Sequence, residues 1–257
     1  MKRKVNLHKV RADELKPWDI VSQVLKMLQK ETKPGISLIE LNDKAEKMIT
    51  DLKGESINKG YRLPHIAQPF PTAVCISVNN VIAHGTPTAY KLREGDIVSY
   101  DLGVKKDGLC GDAALTVAVG QISKRDLKLL TVAYEALYKG IEAVKAGVKI
   151  KDIGYAIESH VLRNGYVVNR TFCGHAIGEE MHQLPNIFNF FHESAAGTLE
   201  EGQMICIEPM VTESDKYGIR HVNGWTYMTR NGKNSAVFEH QLLVTKTGYK
   251  ILTSWEK

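Results

Sequence analysis

The stretch from Ser99 to Asp112, SYDLGVKKDGLCGD, carries an aspartate on each side of Asp107-Gly108, a pair that favours a tight two-residue hairpin turn. The runs around it, EGDIVSYDLGV and ALTVAVG, are rich in β-branched residues. With Asp107 and Gly108 at the turn, Lys106 faces Leu109, Gly103 faces Asp112 and Asp101 faces Ala114. Residues two apart on a strand share a face, so Asp101 and Asp112 become diagonal neighbours about 7–8 Å apart at their α-carbons. Two carboxylates so placed in an apolar hairpin repel each other and are costly to bury. They share a proton, or a cation sits between them, unless that face of the hairpin is wet.

Three other segments offer groups of the same chemistry. In Phe172-Cys173-Gly174-His175-Ala176-Ile177-Gly178 a histidine lies between glycines, where the backbone can turn and aim an imidazole into a cavity. Glu208 ends the apolar run Met204-Ile205-Cys206-Ile207 just before Pro209, and Glu239 interrupts Val237-Phe238-Glu239-His240-Gln241-Leu242-Leu243. Each glutamate alone reads as a residue on a solvated face; two apolar strands that each carry one point to a shared polar site. Asp101, Asp112, His175, Glu208 and Glu239 together make an oxygen-rich set with one nitrogen, suited to Mn²⁺, Fe²⁺, Co²⁺ or Zn²⁺. Bridging carboxylates could hold two ions about 3.5–4 Å apart, and hydrolysis is the natural chemistry of such a pair.

These residues must be positioned by an ordinary soluble scaffold. A chain of 257 residues can bury a substantial core, and 43% hydrophobic with 25% charged residues fits a globular protein. The net charge of +5 is concentrated in the opening MKRKVNLHKVR, a basic extension over residues 1–14 that could meet an anionic surface such as the ribosome. No zinc-finger spacing or aromatic RNA-binding signature follows, so sequence-specific nucleic-acid binding is not expected. The N-terminus lacks the apolar run of a signal peptide and no stretch reaches ~18 apolar residues, which points to a cytoplasmic protein without membrane contact. Cys75, Cys110, Cys173 and Cys206 lie scattered in apolar segments without a CxxC pair, as free thiols of a reducing compartment do.

Four amphipathic helices are expected: Asp19 to Lys30; one after Pro34-Gly35 with Ser37 and Glu40 as a capping box; one from Ser123, with Asp126, to about Ala146; and about Ile150 to Arg163. Gly147 is the expected stop of the third. Apolar, β-rich runs lie between and after the helix pairs: AVCISV, GDIVSYDLGV, ALTVAV, QMICIEPMV and SAVFEHQLLVT. The segment from Lys33 to Leu41 echoes that from Lys145 to Ile153 in its glycine, apolar and acidic positions, each at a junction between two helices. Either this is the shared chemistry of two helix turns, or the chain is built of two related halves. No linker divides it, so a single α+β domain over 1–257 is expected.

The order of these residues, within SVNNVIAHGTP, GDIVSYDLGVKKDGLCGD, GHAIGEEMHQLP, CIEPM and FEHQLLVT, resembles the type I methionine aminopeptidases from about Leu15 to Leu252. The resemblance implies the pita-bread fold, two pseudo-symmetric α+β halves around a central antiparallel sheet with helices on the outer face. It implies two divalent metals held by Asp101, Asp112, His175, Glu208 and Glu239, with Asp112 and Glu239 bridging and Glu208 also moving a proton. His84 would contact substrate, His182 would stand at the scissile carbonyl, and Cys75, Trp225 and Phe70 would wall the methionine pocket. The implied reaction is metal-assisted removal of the initiator methionine from nascent polypeptides with a small second residue; a monomer is the default expectation for the assembly.

The chain departs from the family pattern at three points: Ala176 within GHAIG, Gln183 after the second histidine, and His65-Ile66-Ala67-Gln68-Pro69-Phe70-Pro71 beside the pocket. Two other functions remain open at this level. A proline-specific aminopeptidase or dipeptidase of the same fold would carry an added N-terminal domain, for which the ~70 residues before Ala73 are too few. A non-catalytic binding module on this scaffold would have lost ligands, and all five are present.

Overall fold

Residues 15–193 and 195–256 are described by the structure, a computed structural model; the basic extension over 1–14 lies outside them. Helix Pro17–Glu31 buries Ile20, Val21, Val24, Leu25 and Leu28, the stripe that a 3.6-residue period dictates. Helix Leu38–Asp51 opens on the expected capping box, in which Ser37 Oγ accepts from the Glu40 amide at 3.2 Å and Glu40 accepts from the Ser37 amide at 2.9 Å. Helix Ile150–Arg163 has the bounds read from its sequence.

Helix Lys124–Glu142 starts at its Ser123 cap but stops four residues short of Ala146. Past Glu142 the bonds tighten, Ala143 to Gly140 and Val144 to Ile141, and the Ala146 amide donates to the Thr245 carbonyl across the molecule. A tertiary acceptor replaces the helical one, which periodicity within the segment could not show. Gly147 has φ +84°, but it serves the loop and not the helix end.

The echo between the two halves is structural. Gly35 donates to Leu92 O and Gly147 to Leu199 O, both at positive φ. Ser37 bridges Lys91 as Lys149 bridges Thr198, and Gly95 donates to Val119 O as Gly202 does to Val244 O. Each half is thus a helix pair whose connecting turn is pinned to the chain that leads into the half's central strands.

In the first half, Ile97–Lys106 pairs with Glu55–Ser56, Cys75–Val78 and Leu109–Ala118. In the second, the order is Tyr249–Ile251, His240–Val244, Met204–Ile207, Gly174–Ala176, Gln183–Ile187. Every one of these pairs is antiparallel. The helices pack on these sheets in one core that runs through Leu25, Ile49, Tyr100, Leu137, Ile157, Ile205 and Leu242.

The two sheets are stitched together along Leu109–Ala118. Glu239 donates its amide to Ala114 O at 2.8 Å, and Thr116 Oγ1 both donates to Val237 O and accepts from the Val237 amide. Gln241 receives the Asp112 amide at 3.2 Å and returns a bond to Cys110 O at 3.3 Å. That seam sets Asp112 of one half beside Glu239 of the other.

Candidate metal centre

The hairpin has the register its turn residues dictate. Asp107 and Gly108 take φ of +51° and +78°, Lys106 faces Leu109, Gly103 faces Asp112 and Asp101 faces Ala114. Asp101 and Asp112 therefore share the face that looks toward the second half. Asn58 secures the strand behind them, accepting the Gly103 amide at 2.7 Å and pointing its own amide at Cys75 Sγ, 3.4 Å away.

The second half supplies the rest. Gly174 lets its strand press on its neighbour, since a Cβ there would sit on the Cys206 carbonyl oxygen. Next to it, His175 places Nδ1 3.1 Å from Ala176 O, so Nδ1 carries the proton and the lone pair of Nε2 looks inward. Nε2 stands 3.5 Å from Asp112 Oδ2 and 3.7 Å from Glu208 Oε1. The backbone of Glu208 is held on both sides by buried Asn189, which gives to its carbonyl at 3.1 Å and accepts its amide at 3.4 Å. Trp255 Nε1 donates to Glu239 O at 2.9 Å and fixes that strand from behind. Ala176 is buried and pairs with Gln183 on one side and Ile205 on the other, with a shift of register between His175 and Ala176.

The electrostatics of this cluster are those of a site built for cations. Burial, then the charge of Asp112, raises Asp101 well above the carboxylate range. Burial alone pushes Asp112 up to about 8, and burial followed by the charge of Asp112 raises Glu208 and Glu239. The same burial lowers His175 and His84 to about 4, so both imidazoles are neutral at pH 7. Asp112 Oδ1 and Glu239 Oε1 are buried with no hydrogen-bond partner, and among the described residues no Lys or Arg lines the cavity. Orphaned carboxylate oxygens of that kind fit divalent metal ions, which would satisfy them.

All ten residues singled out from the sequence line one cavity of about 390 Å³: Asp101, Asp112, His175, Glu208, Glu239, His84, His182, Phe70, Cys75 and Trp225. Phe70, Cys75 and Trp225 form its apolar wall, with Tyr61, Leu63 and Ile66 packed against them. His84, at φ +53°, sets its ring edge-on to Phe172 at 4.9 Å between centroids, and His182 lies 4.5 Å from the His175 ring.

The unusual segment at His65–Pro71 is the outer part of that wall. Gly60 donates to Phe70 O and Phe70 to Tyr61 O, both at 2.8 Å, which closes residues 62–69 into a loop. Gln68 O accepts from Trp225 Nε1 at 3.0 Å and so ties the loop to the pocket. Sequence reasoning missed Asn58, Tyr61 and Leu63 in the lining, and also Cys206 behind the carboxylates. For Cys206 a signal was there: it stands two residues before Glu208, on the same face of the strand.

The family model described as metallopeptidase family M24 matches residues 16–246. The chain is 38% identical over 234 residues to methionine aminopeptidase 1 of Bacillus subtilis, across 91% of this chain and 92% of that protein. It superimposes on the crystal structure of methionine aminopeptidase from Rickettsia prowazekii with a TM-score of 0.88 and 35% identity, covering 93% and 94% of the two chains. Prolidase from Pyrococcus furiosus shares the fold at a TM-score of 0.71 and 21% identity, over 94% of this chain and 62% of that one.

Proposed function

Because the chain belongs to metallopeptidase family M24, we propose that this cavity is the active site of a methionine aminopeptidase, on a pita-bread fold, that removes the first residue of nascent polypeptides when the second is small. The observation that carries the reading is the convergence of four carboxylates and a neutral imidazole on one cavity with no Lys or Arg among its described lining residues.

Asp101, Asp112, His175, Glu208 and Glu239 would hold two divalent ions, Co²⁺, Mn²⁺, Fe²⁺ or Zn²⁺, with Asp112 of the first half and Glu239 of the second each offering an unpartnered carboxylate oxygen. When bound, such ions lower the pKa of water and polarise a carbonyl. The remaining chemistry belongs to the chain. The free α-amino group meets the carboxylates, which confines cleavage to the first residue. Glu208, raised by burial and by Asp112, carries a proton toward the leaving amine. His182 and His84 donate neutral hydrogen bonds, His182 at the scissile carbonyl and His84 to the substrate backbone. Phe70, Cys75 and Trp225 close around the thioether, a soft side chain that suits an apolar and sulfur-containing wall. Apolar volume discriminates by only ~1–3 kcal/mol per methylene, so norleucine is accepted as well.

The protein is assigned to the cytoplasm as a monomer built of one metallopeptidase domain. No helix of the described residues is long and apolar enough to cross a membrane. The net charge of +5 supports transient contact with the ribosome, where nascent N-termini emerge. The test is hydrolysis by protein loaded with Co²⁺ or Mn²⁺: methionine is released from Met-Ala-Ser and not from a peptide beginning Met-Lys. Cleavage ahead of proline with Met-Ala-Ser intact would make it a proline-specific enzyme, and no cleavage at all a binding module.

A further inference from the structure

Cys206 is fully buried in strand Met204–Ile207, two residues before Glu208 and therefore on the same face. Ile205 and Ile207 turn to the main core, while Cys206 turns toward the seam, opposite Gln241 in the register. Its Sγ, one carboxylate oxygen each of Asp112 and Glu239, and one imidazole nitrogen of His175 all lie within 4.8 Å of one another. A metal ion bonds sulfur at about 2.3 Å and nitrogen or oxygen at about 2.0–2.2 Å, so the ligands around a tetrahedral ion stand about 3.3–3.8 Å apart. His175 Nε2 and Asp112 Oδ2 already stand at that spacing, 3.5 Å apart, and side-chain movements of about 1 Å would bring the other atoms, all within 4.8 Å, to it. Two unpartnered oxygens, Asp112 Oδ1 and Glu239 Oε1, are buried in the same cluster and independently call for a cation.

The other cysteines do not share this position. Cys110 Sγ donates to Glu179 O at 3.6 Å, Cys75 receives the Asn58 amide, and Cys75 and Cys173 line the substrate cavity. Cys206 shares its hydrogen bond with Glu239, itself one of the candidate ligands, and only Cys206 stands, among the described cysteines, in a group that could hold an ion.

We propose that Cys206 is a sulfur ligand of this centre, so that the ion held by Asp112, His175 and Glu239 also meets a thiolate and the site favours thiophilic ions over Mn²⁺. This rests on the metal-centre reading above and adds to it the softness of one ligand. Thiolate selects Zn²⁺, Cd²⁺ and Co²⁺, whereas carboxylate alone suits harder ions such as Mn²⁺ and Mg²⁺. The thiol proton leaves to solvent as the ion binds, which couples affinity to pH.

The experiment titrates the full chain, freed of metal by chelation, with Co²⁺ alone, and follows heat and near-ultraviolet absorption together. Thiolate-to-cobalt charge-transfer absorption should develop in step with the binding heat. In Cys206→Ser it should vanish, and Cd²⁺ affinity should fall by at least the ~10–100-fold that the loss of even an outer-shell partner costs, while Mn²⁺ affinity changes far less. Cys75→Ser should keep the absorption, which separates a pocket thiol from this one. Co²⁺ binding without the charge-transfer band in the unmodified chain overturns the sulfur ligand and leaves the oxygen and nitrogen ligands standing. A band that survives Cys206→Ser overturns it too, and requires no folding assumption beyond the binding heat. No Co²⁺ binding at all overturns the metal centre itself.

Discussion

The Tyr61 hydroxyl stands 3.1 Å from Nδ1 of His182, and the two rings meet edge to face with centroids 5.7 Å apart. A neutral imidazole carries one proton, so a hydroxyl that donates to Nδ1 leaves the proton on Nε2, ready to donate to a carbonyl. Tyr61→Phe keeps the ring and removes that bond, worth about 0.5–1.5 kcal/mol. The expected result with Met-Ala-Ser is a kcat lower by roughly 2- to 10-fold and a KM within about twofold. A kcat equal to that of the unmodified protein would remove the orienting role.

Asp112 is the hinge of the charge cluster, touching both halves. Asp112→Asn replaces a carboxyl that must take up a proton to be buried, raised by burial to about 8, with a neutral amide of the same shape. Without metal the variant should melt higher than the parent chain, and in the presence of Co²⁺ or Mn²⁺ it should turn over no substrate. Calorimetric melting and peptide hydrolysis on the same sample check both halves, and undiminished turnover would overturn the bridging role.

The metal-free protein should lose stability as pH rises from about 6.5 to 8. Asp112 is raised from 3.8 to about 8, and Asp101, Glu208 and Glu239 are raised as well, so the folded state binds more protons than the unfolded one through this window. With more protons bound in the native state, the slope of unfolding free energy against pH is negative. His175, His84, His182 and His240, lowered from 6.5 to about 4, work in the opposite direction, but only below about 6.5. Denaturant melts at pH 6.5, 7.2 and 8 (roughly the window those shifts define) should show the decline with chelator and its disappearance with divalent metal. A flat profile with chelator would contradict the buried cluster.

Gly174→Ala should be costly although the side chain added is one methyl group. The new Cβ would sit on the Cys206 carbonyl oxygen and 3.2 Å from Ile187 O, with backbone on both sides and nothing flexible to yield. A loss of about 2 kcal/mol or more is expected, which in a chain of this size lowers the melting temperature by roughly 4–8 °C. A melting temperature within about a degree of the parent would mean that the strands separate easily there.

Much of the centre can be read along the chain because its determinants are local. Asp107-Gly108 sets a two-residue turn, and that turn alone fixes Asp101 and Asp112 on one face. The helix starts at Ser37 and Ser123 are equally local, since each cap is a bond between residues three apart. The end of helix Lys124–Glu142 was not legible, because the group that ends it, Thr245 O, is a hundred residues away by contact and not by sequence pattern.

The amino-acid sequence by itself determined which strands carry a carboxylate, that the Asp107-Gly108 turn puts Asp101 and Asp112 on one face, and that Asp101, Asp112, His175, Glu208 and Glu239 are chemically one set. Only the tertiary structure decided that they meet, through the seam in which Thr116 and Gln241 bond across from one half to the other. It also decided what else stands with them: Tyr61 on His182, Asn58 behind the hairpin, and a sulfur from Cys206 among the oxygens. Alternation along a strand says which way a side chain points, whereas what it points at depends on the packing of distant segments, and burial assigns the energies only once those segments are in contact.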